Sequence, residues 1–503
     1  WLCCAVSMPP PANPNSMMTE ALIGLIFLPL LAGCVAVVGG GRTIGLAVIG
    51  ALLGLPALLV PLTLGVWQDG PMFYSLGGWA APLGIRLLVD PLALVMLWMT
   101  AVIGGLAGLH AWREFPPGSR DGIRFWPLWL LLTATMNALF VSADLFNLYV
   151  CLELITLTAI PLIAIAGRPE AIRAAMRYLL LALLASLVWL LGVALIYNAT
   201  GILDLHLIGE RGADSAAFNV GVALLVGALL LKSALFPLHV WLPAAHASAP
   251  GAVSAVLSAL VVKTGIYLLY RLGFWMLEGE LPMLLAGLFG LLGAGALIHG
   301  GVMALIQQRL KLIIAYSTVA QLGYLMLLFP LATAPLAESA AWHGAVYHML
   351  SHGLAKAAMF LAAADILRAL GTDRLSELQR VDQRLPLSFF ALALAGVSIM
   401  GLPPSGGFVA KWLLLQAAWQ ASNWWLMAVI VAGSLLAAGY IFRILNASLR
   451  RPDPRERIPA APSPSGSTHP MLASVAMLLA LLALLAGFTS VPILGLLDGG
   501  GGQ

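Results

Sequence analysis

The amino-acid sequence predicts an all-α, polytopic membrane protein of about fourteen helices, on three observations. Charged residues make up 9% of the 503 residues and hydrophobic ones 61%, whereas soluble domains carry about 25% charged residues. The mean hydropathy is +0.98, so most of the surface must meet lipid rather than water. The apolar runs are long and unbroken, as from Leu179 to Val193; a lipid-embedded barrel would instead alternate over segments of about ten residues. At about 20 residues per span, the chain has room for that number of helices.

The elements follow in order. Residues 1–16 open on Trp and hold no basic residue, and Met17 and Met18 directly precede the first apolar run. That stretch lacks the basic start of a signal peptide and is expected to be a non-native or disordered extension. Helices 1–3 are expected near 20–39, 44–66 and 90–111, within an N-terminal section 17–124. Helices 4–8, near 125–142, 145–166, 173–197, 217–238 and 251–272, make a section 125–275. Helices 9–13, near 281–303, 312–330, 341–367, 386–417 and 424–446, make a section 281–448. The Pro-, Ser- and Arg-rich stretch from Arg450 to His469 reads as a flexible cytoplasmic loop, 449–470. A last, peripheral helix near 471–491 lies within a section 471–503. No soluble domain is expected.

Loop charges orient the chain. Loops after the odd-numbered helices hold eighteen basic residues: Arg42; Arg113, Arg120 and Arg124; Arg168, Arg173 and Arg177; Arg309 and Lys311; Arg368, Arg374, Arg380 and Arg384; Arg443, Arg450, Arg451, Arg455 and Arg457. The other side has three, Arg86, Arg211 and Arg271. Basic loops stay cytoplasmic, so both termini are expected on the periplasmic side of a bacterial inner membrane.

Four basic residues remain, Lys232, Lys263, Lys356 and Lys411, and all fall inside predicted helices. The arginines are all expected in loops or at helix ends. Arginine cannot lose its proton in a protein, whereas a desolvated lysine can load and release one. Among the acids only Glu153 is expected deep inside a helix; Asp90, Asp144 and Asp365 are expected near helix ends. An ionised residue at mid-membrane costs roughly 3 kcal/mol. Five of them cost on the order of 15 kcal/mol, comparable with the stability of a whole domain, so their retention points to function. His348, His352 and Lys356 repeat at i, i+4 and i+8, on one helical face. That register favours a proton wire over isolated core histidines. His239 and His246 follow Lys232 and are auxiliary candidates; His299 is left open, and His343 is placed at the interface.

Two helices carry breaks. The seventh has Pro237 five residues after Lys232, and the twelfth has Pro403, Pro404, Gly406 and Gly407 just before Lys411. Breaks survive in lipid only where they line a cavity or are covered by protein. A broken helix in each half points to an inverted-repeat transporter. Cys3, Cys4, Cys34 and Cys151 have no zinc or iron–sulfur spacing, and no Gly-rich nucleotide loop occurs. No cofactor, metal or nucleic-acid partner is therefore expected, and redox or ATP chemistry would belong to another subunit.

From about Asp90 to Arg443 the chain resembles the antiporter-like subunits shared by Mrp-type multisubunit Na+/H+ antiporters and respiratory complex I. The motifs are DLFNLYVCLELITL around Glu153, LKSALFPLHVWLPAAH around Lys232, SAVLSALVVKTGIYLLYR around Lys263, LKLIIAYSTVAQLGY from Leu310, the His348–Lys356 segment, and GLPPSGGFVAKW. The resemblance implies fourteen helices with inverted repeats at helices 4–8 and 9–13. It implies a Glu153–Lys232 pair controlling a half-channel, Lys263 as the link inward, His348 and His352 as the wire, and Lys411 as the last proton site; Lys356 matches the pattern on helix 11. Ala244 stands where an acid is expected. Lys411 and the short tail after helix 14 favour the D type among the Mrp antiporter subunits. That reading gives a proton-translocating subunit of a Na+/proton antiporter, with other membrane subunits as partners and no catalytic centre of its own. The alternative is a pumping subunit of a complex I-like oxidoreductase or a membrane-bound hydrogenase.

Overall fold

The computed structural model describes residues 16–211, 215–277, 283–332, 336, 339–451 and 470–498. The extension 1–15 and residues 452–469, which include Arg455 and Arg457, lie outside the described residues. The chain is α1 (Ser16–Val38), α2 (Gly41–Asp69), α3 (Pro91–Glu114), α4 (Arg120–Val141), α5 (Leu145–Ala164) and α6 (Pro169–Thr200). There follow α7a (Ala216–Lys232), α7b (Leu242–Ser248), α8 (Gly251–Met276), α9 (Met283–Ile306), α10 (Leu310–Leu331) and α11 (Ala340–Leu370). The last are α12a (Pro386–Met400), α12b (Gly406–Gln420), α13 (Trp424–Leu449), and a bent pair α14a (Pro470–Leu485) and α14b (Ser490–Leu497).

Among the described residues, ten helices are long and apolar enough to cross a bilayer, or eleven if the pair bent by 71° is one span. The expected fourteen is not reached by this measure. The shortfall lies in α7, α11 and α12. Two are cut into short pieces, and α11 is studded with His348, His352, Lys356 and Asp365. Helix 7 stops at Lys232, six residues earlier than expected, because residues 233–241 leave the helix around Pro237.

One small sheet interrupts the helical plan. Met72–Ser75 pairs antiparallel with Arg86–Val89, in the register Met72↔Val89 to Ser75↔Arg86. Gly77 and Gly78, both at positive φ, turn the connection. The strands are four residues each and too short for an alternating pattern to stand out from a loop.

Burial sorts the helices radially. Every residue of the most apolar stretch of α8 is buried, and 89% of that of α10, against 33% in α1 and 28% in α2. The centre is thus α8, α10 and α11, with lipid-facing leucines such as Leu46, Leu53, Leu187 and Leu291 outside. Helix α14a, expected to be peripheral, packs on α11 and α12a. Its small residues Ala473, Ala476, Ala480 and Ala483 are buried there.

Candidate functional site

The site begins at the end of α7a. Asp144 caps α5 by accepting from the amides of Phe146 and Asn147, and nine residues on α5 presents Glu153. Lys232 is the last residue of α7a, where a helix leaves its carbonyls unpaired and negative. Its Nζ lies 3.7 Å from Glu153 Oε2 and donates to Leu152 O and Thr156 Oγ1, each at 3.3 Å. Ser186 Oγ of α6 donates to Glu153 Oε2. Glu153 is less deep than expected: its side chain is 20% exposed against 7% for Lys232. The pair therefore lies at a flank of the molecule.

Lys263 is fully buried on α8. Residues Leu257–Val261 just before it form a π-helical turn, and Lys263 Nζ folds back onto Ser258 O and Ala259 O at 3.1 and 2.9 Å. Wide turns of this kind are common at functional positions. Gly265 lies against Ser233, the neighbour of Lys232; a Cβ there would meet Ser233 Oγ at 2.1 Å. Gly353 approaches the Ala259 carbonyl on the other side, with a Cβ distance of 3.4 Å. Around Lys263, α8 thus packs against the α7a end on one side and against α11 beside His352 on the other.

On α11 the predicted face exists. His348 and His352 stack with ring centroids 5.6 Å apart and planes 2° from parallel. His348 Nε2 is 3.2 Å from Gln321 O. Both ring nitrogens of His352 are buried without a hydrogen-bond partner among the described residues. Lys356 Nζ donates to Ile314 O at 2.9 Å and to Ser317 Oγ.

Lys411, in the second turn of α12b, reaches back across the break. It donates to Ile399 O at 2.8 Å and Met400 O at 3.3 Å, the last carbonyls of α12a. Its Nζ lies 4.6 Å from the centre of the Tyr324 ring, whose other neighbour is His348 at 5.1 Å. The break is built for this approach. Gly401 has φ 80°, and a Cβ on Gly407 would sit 1.9 Å from Ser398 O. Gly406 lies between Ser351 and Ala486. Pro403 and Pro404 are exposed and turn the chain.

The other ionisable groups divide. His246 is fully buried and stacks on Phe360, centroids 4.6 Å apart. His239 lies with His299, 5.0 Å away, and with Tyr316, beside the α7 break and apart from the α11 face. Several buried groups were not foreseen. Lys311, expected in a loop, is 2% exposed and donates to Ala249 O at 2.6 Å. Arg271, expected at a helix end, is buried in a bidentate pair with Asp90. Asp365, expected near a helix end, is fully buried against His110. Each lies within a turn or two of a helix end, where sequence alone does not reveal whether a side chain turns inward. Among the described residues, no three His, Cys, Asp or Glu side chains converge as a metal site would need.

Residues 142–437 match the family model described as NADH:quinone oxidoreductase/Mrp antiporter, TM. The chain belongs to this family. Among its relatives, the NADH-quinone oxidoreductase subunit designated N in Desulforudis audaxviator is 35% identical over 463 residues, 91% of each chain. The Na(+)/H(+) antiporter subunit designated D in Alkalihalophilus pseudofirmus is 29% identical over 403 residues, 80% of each chain. Among solved structures, the Mrp complex from Dietzia sp. superposes with a TM-score of 0.87 at 26% identity, covering 96% of this chain and 97% of the other. The membrane-bound sulfane sulfur reductase, an archaeal respiratory membrane complex, superposes with a TM-score of 0.83 at 28% identity, covering 95% and 96%. The protein is thus an all-α, multi-pass membrane member of this family.

Proposed function

We propose that the protein is the proton-translocating subunit of a multisubunit monovalent cation (Na+)/proton antiporter. The observation that carries this is the set of buried amines and imidazoles Lys232, Lys263, His352, His348 and Lys411, of which His352, His348 and Lys411 are linked by ring contacts through Tyr324. Only Lys232 among the buried lysines Lys232, Lys263, Lys356 and Lys411 has a carboxylate within salt-bridge distance among the described residues. Amines so held change protonation without exchanging a fixed partner. In this reading Glu153 governs whether Lys232 keeps its proton. Lys263 relays it, His352 and His348 conduct it past Tyr324, and Lys411 is the last site. Lys356 is a branch toward the arginine-rich face.

Helices 4–8 and 9–13 are read as the two inverted repeats, with the sections 17–124, 125–275, 281–448, 449–470 and 471–503 as expected from sequence. The arginine-rich loops are read as cytoplasmic and both termini as periplasmic, in a bacterial inner membrane. Other membrane subunits are required, because the chain offers a proton path and no energy source. Support comes from the D-type antiporter relatives and the Mrp complex, which are multisubunit by name.

The 35% identity to an NADH-quinone oxidoreductase subunit favours a second reading, a pumping subunit of a redox-driven complex. Vesicles holding the purified complex separate the two. A Na+ gradient that drives a pH change supports the antiporter; a pH change that appears only with electron transfer overturns it in favour of the redox pump. Robust exchange by the isolated chain would refute the need for partners.

A further inference from the structure

A second group of ionisable side chains joins α3 to α11 at the arginine-rich end. His110 Nε2 and Asp365 Oδ1 lie 3.0 Å apart, both side chains fully shielded from solvent. His110 Nδ1 and Asp365 Oδ2 are buried and have no hydrogen-bond partner among the described residues. About one turn further out, Arg368 Nη2 donates to Glu114 Oε2 at 3.0 Å, each side chain 29% exposed. Arg368 Nη1 is 3.6 Å from Asp365 Oδ1. The four groups step from the rim to the interior.

Further ionisable groups border the interval inward of this pair. Asp365 lies nine residues beyond Lys356 on α11, about 13.5 Å along the axis. His246 approaches that interval from the side, its ring on Phe360, one turn from Lys356. Both its ring nitrogens are buried and unpartnered among the described residues. Gly251, just past α7b, packs so closely on Ala364 that a Cβ would sit 2.3 Å away. Lys311 reaches the same junction through Ala249 O.

A brace between two helices is best when every buried polar atom is paired. Here a carboxylate oxygen and three ring nitrogens are left over, all on groups that exchange protons. We propose that His110 and Asp365 form a proton-loading site for the arginine-rich face, which hands protons through His246 to Lys356. The inference rests on the proton-path reading above. A proton taken up at Asp365 Oδ2 passes to one ring nitrogen of His246, and the other ring nitrogen releases one to the neutral amine of Lys356. Arg368 keeps its proton throughout and holds the carboxylate in place, while Glu114 faces solvent. Lys311 and Lys356 also face this passage, and Arg168, which donates to Ser248 O at 3.3 Å, and Arg309 lie near Lys311 toward the rim.

The test uses the complete complex in oriented vesicles, with pH varied on each side in turn. Asp365→Asn and His110→Gln should each slow proton uptake from the arginine-rich side by about tenfold or more. Each should also displace the pH dependence on that side only. Asp365→Glu should restore most of the rate. Wild-type rate and profile in both variants would overturn the proposal. So would a lower rate with an unchanged profile, since that marks a brace. If Asp365→Asn does not assemble, His110→Gln, which exchanges a ring for a neutral amide, decides by the same two readouts. Lys411→Arg in the same vesicles keeps the two readings apart. If it is inactive while His110→Gln and Asp365→Asn behave as wild type, only this inference fails; if it transports normally, the reading of Lys411 as the last proton site fails.

Discussion

Lys232 and Lys411 lie at the two breaks, and both sit at the carbonyl end of a half-helix. Lys232 is itself the last residue of α7a. Lys411 reaches across its break to the last carbonyls of α12a. The negative end of a helix favours a cation, so both places suit a protonated amine. The surroundings then diverge. Lys232 faces Glu153 at 3.7 Å on a partly exposed flank. Lys411 is buried against a tyrosine ring and carbonyls, with no carboxylate in salt-bridge range among the described residues. A lysine with an acid can be switched by moving the acid. A lysine held by carbonyls alone can be switched only by its connection to water or to the wire.

The comparison is broken most directly at Lys411. Lys411→Arg should abolish transport with the complex still assembled, because arginine keeps the charge and cannot release the proton. Wild-type transport in vesicles would reduce Lys411 to a structural role and leave Lys232 as the working amine.

At the other break, Glu153→Gln and Lys232→Ala should each block proton-coupled transport. The double mutant should be no worse than either single, since residues acting as one unit are not additive. Rates at matched expression test this. Retained activity in Glu153→Gln would mean that both lysines work without an acid, and the contrast between the breaks would lose its meaning.

Gly401→Ala sharpens the α12 side. The residue has φ 80°, and its Cβ would fall 2.6 Å from Lys411 Cδ. The strained backbone costs on the order of 1–3 kcal/mol, and the lysine must move off the α12a carbonyls. Lower thermal stability with impaired transport is expected; an unchanged melting temperature and rate would argue that the break is more tolerant than its geometry implies.

The smallest effect is expected at Tyr324. Its ring face is worth about 0.5–2 kcal/mol to a cation, and its hydroxyl donates to Ile430 O at 3.0 Å. Tyr324→Phe keeps the face and should transport nearly normally, whereas Tyr324→Leu should slow transport several-fold. Equal rates in the two variants would remove the ring from the Lys411 environment.

Much of this site is legible in the one-dimensional pattern. A lysine, histidine or acid in an apolar run is conspicuous, and the i, i+4, i+8 register on α11 follows from helical geometry. The breaks announce themselves through Pro237, Pro403, Pro404, Gly406 and Gly407. The helix-end groups do not. Arg271 and Lys311 count as helix-end and loop charges by position, and the ion pair with Asp90 and the bond to Ala249 O appear only once α3, α8 and α10 are packed.

The sequence by itself determined the class, the set of buried ionisable groups and the helices that hold most of them, because charge in lipid is costly and makes each exception visible. The tertiary structure decided the pairing. The Glu153–Lys232 pair was already implied by the resemblance, but that Lys411 meets the α12a carbonyls and that His110 meets Asp365 across 255 residues of chain were not. Contacts between helices depend on how each helix is rotated and how deep it sits. Those are set by the packing of small residues such as Gly251, Gly265, Gly353 and Gly407 against their neighbours, and helical periodicity within one segment carries no record of what lies opposite.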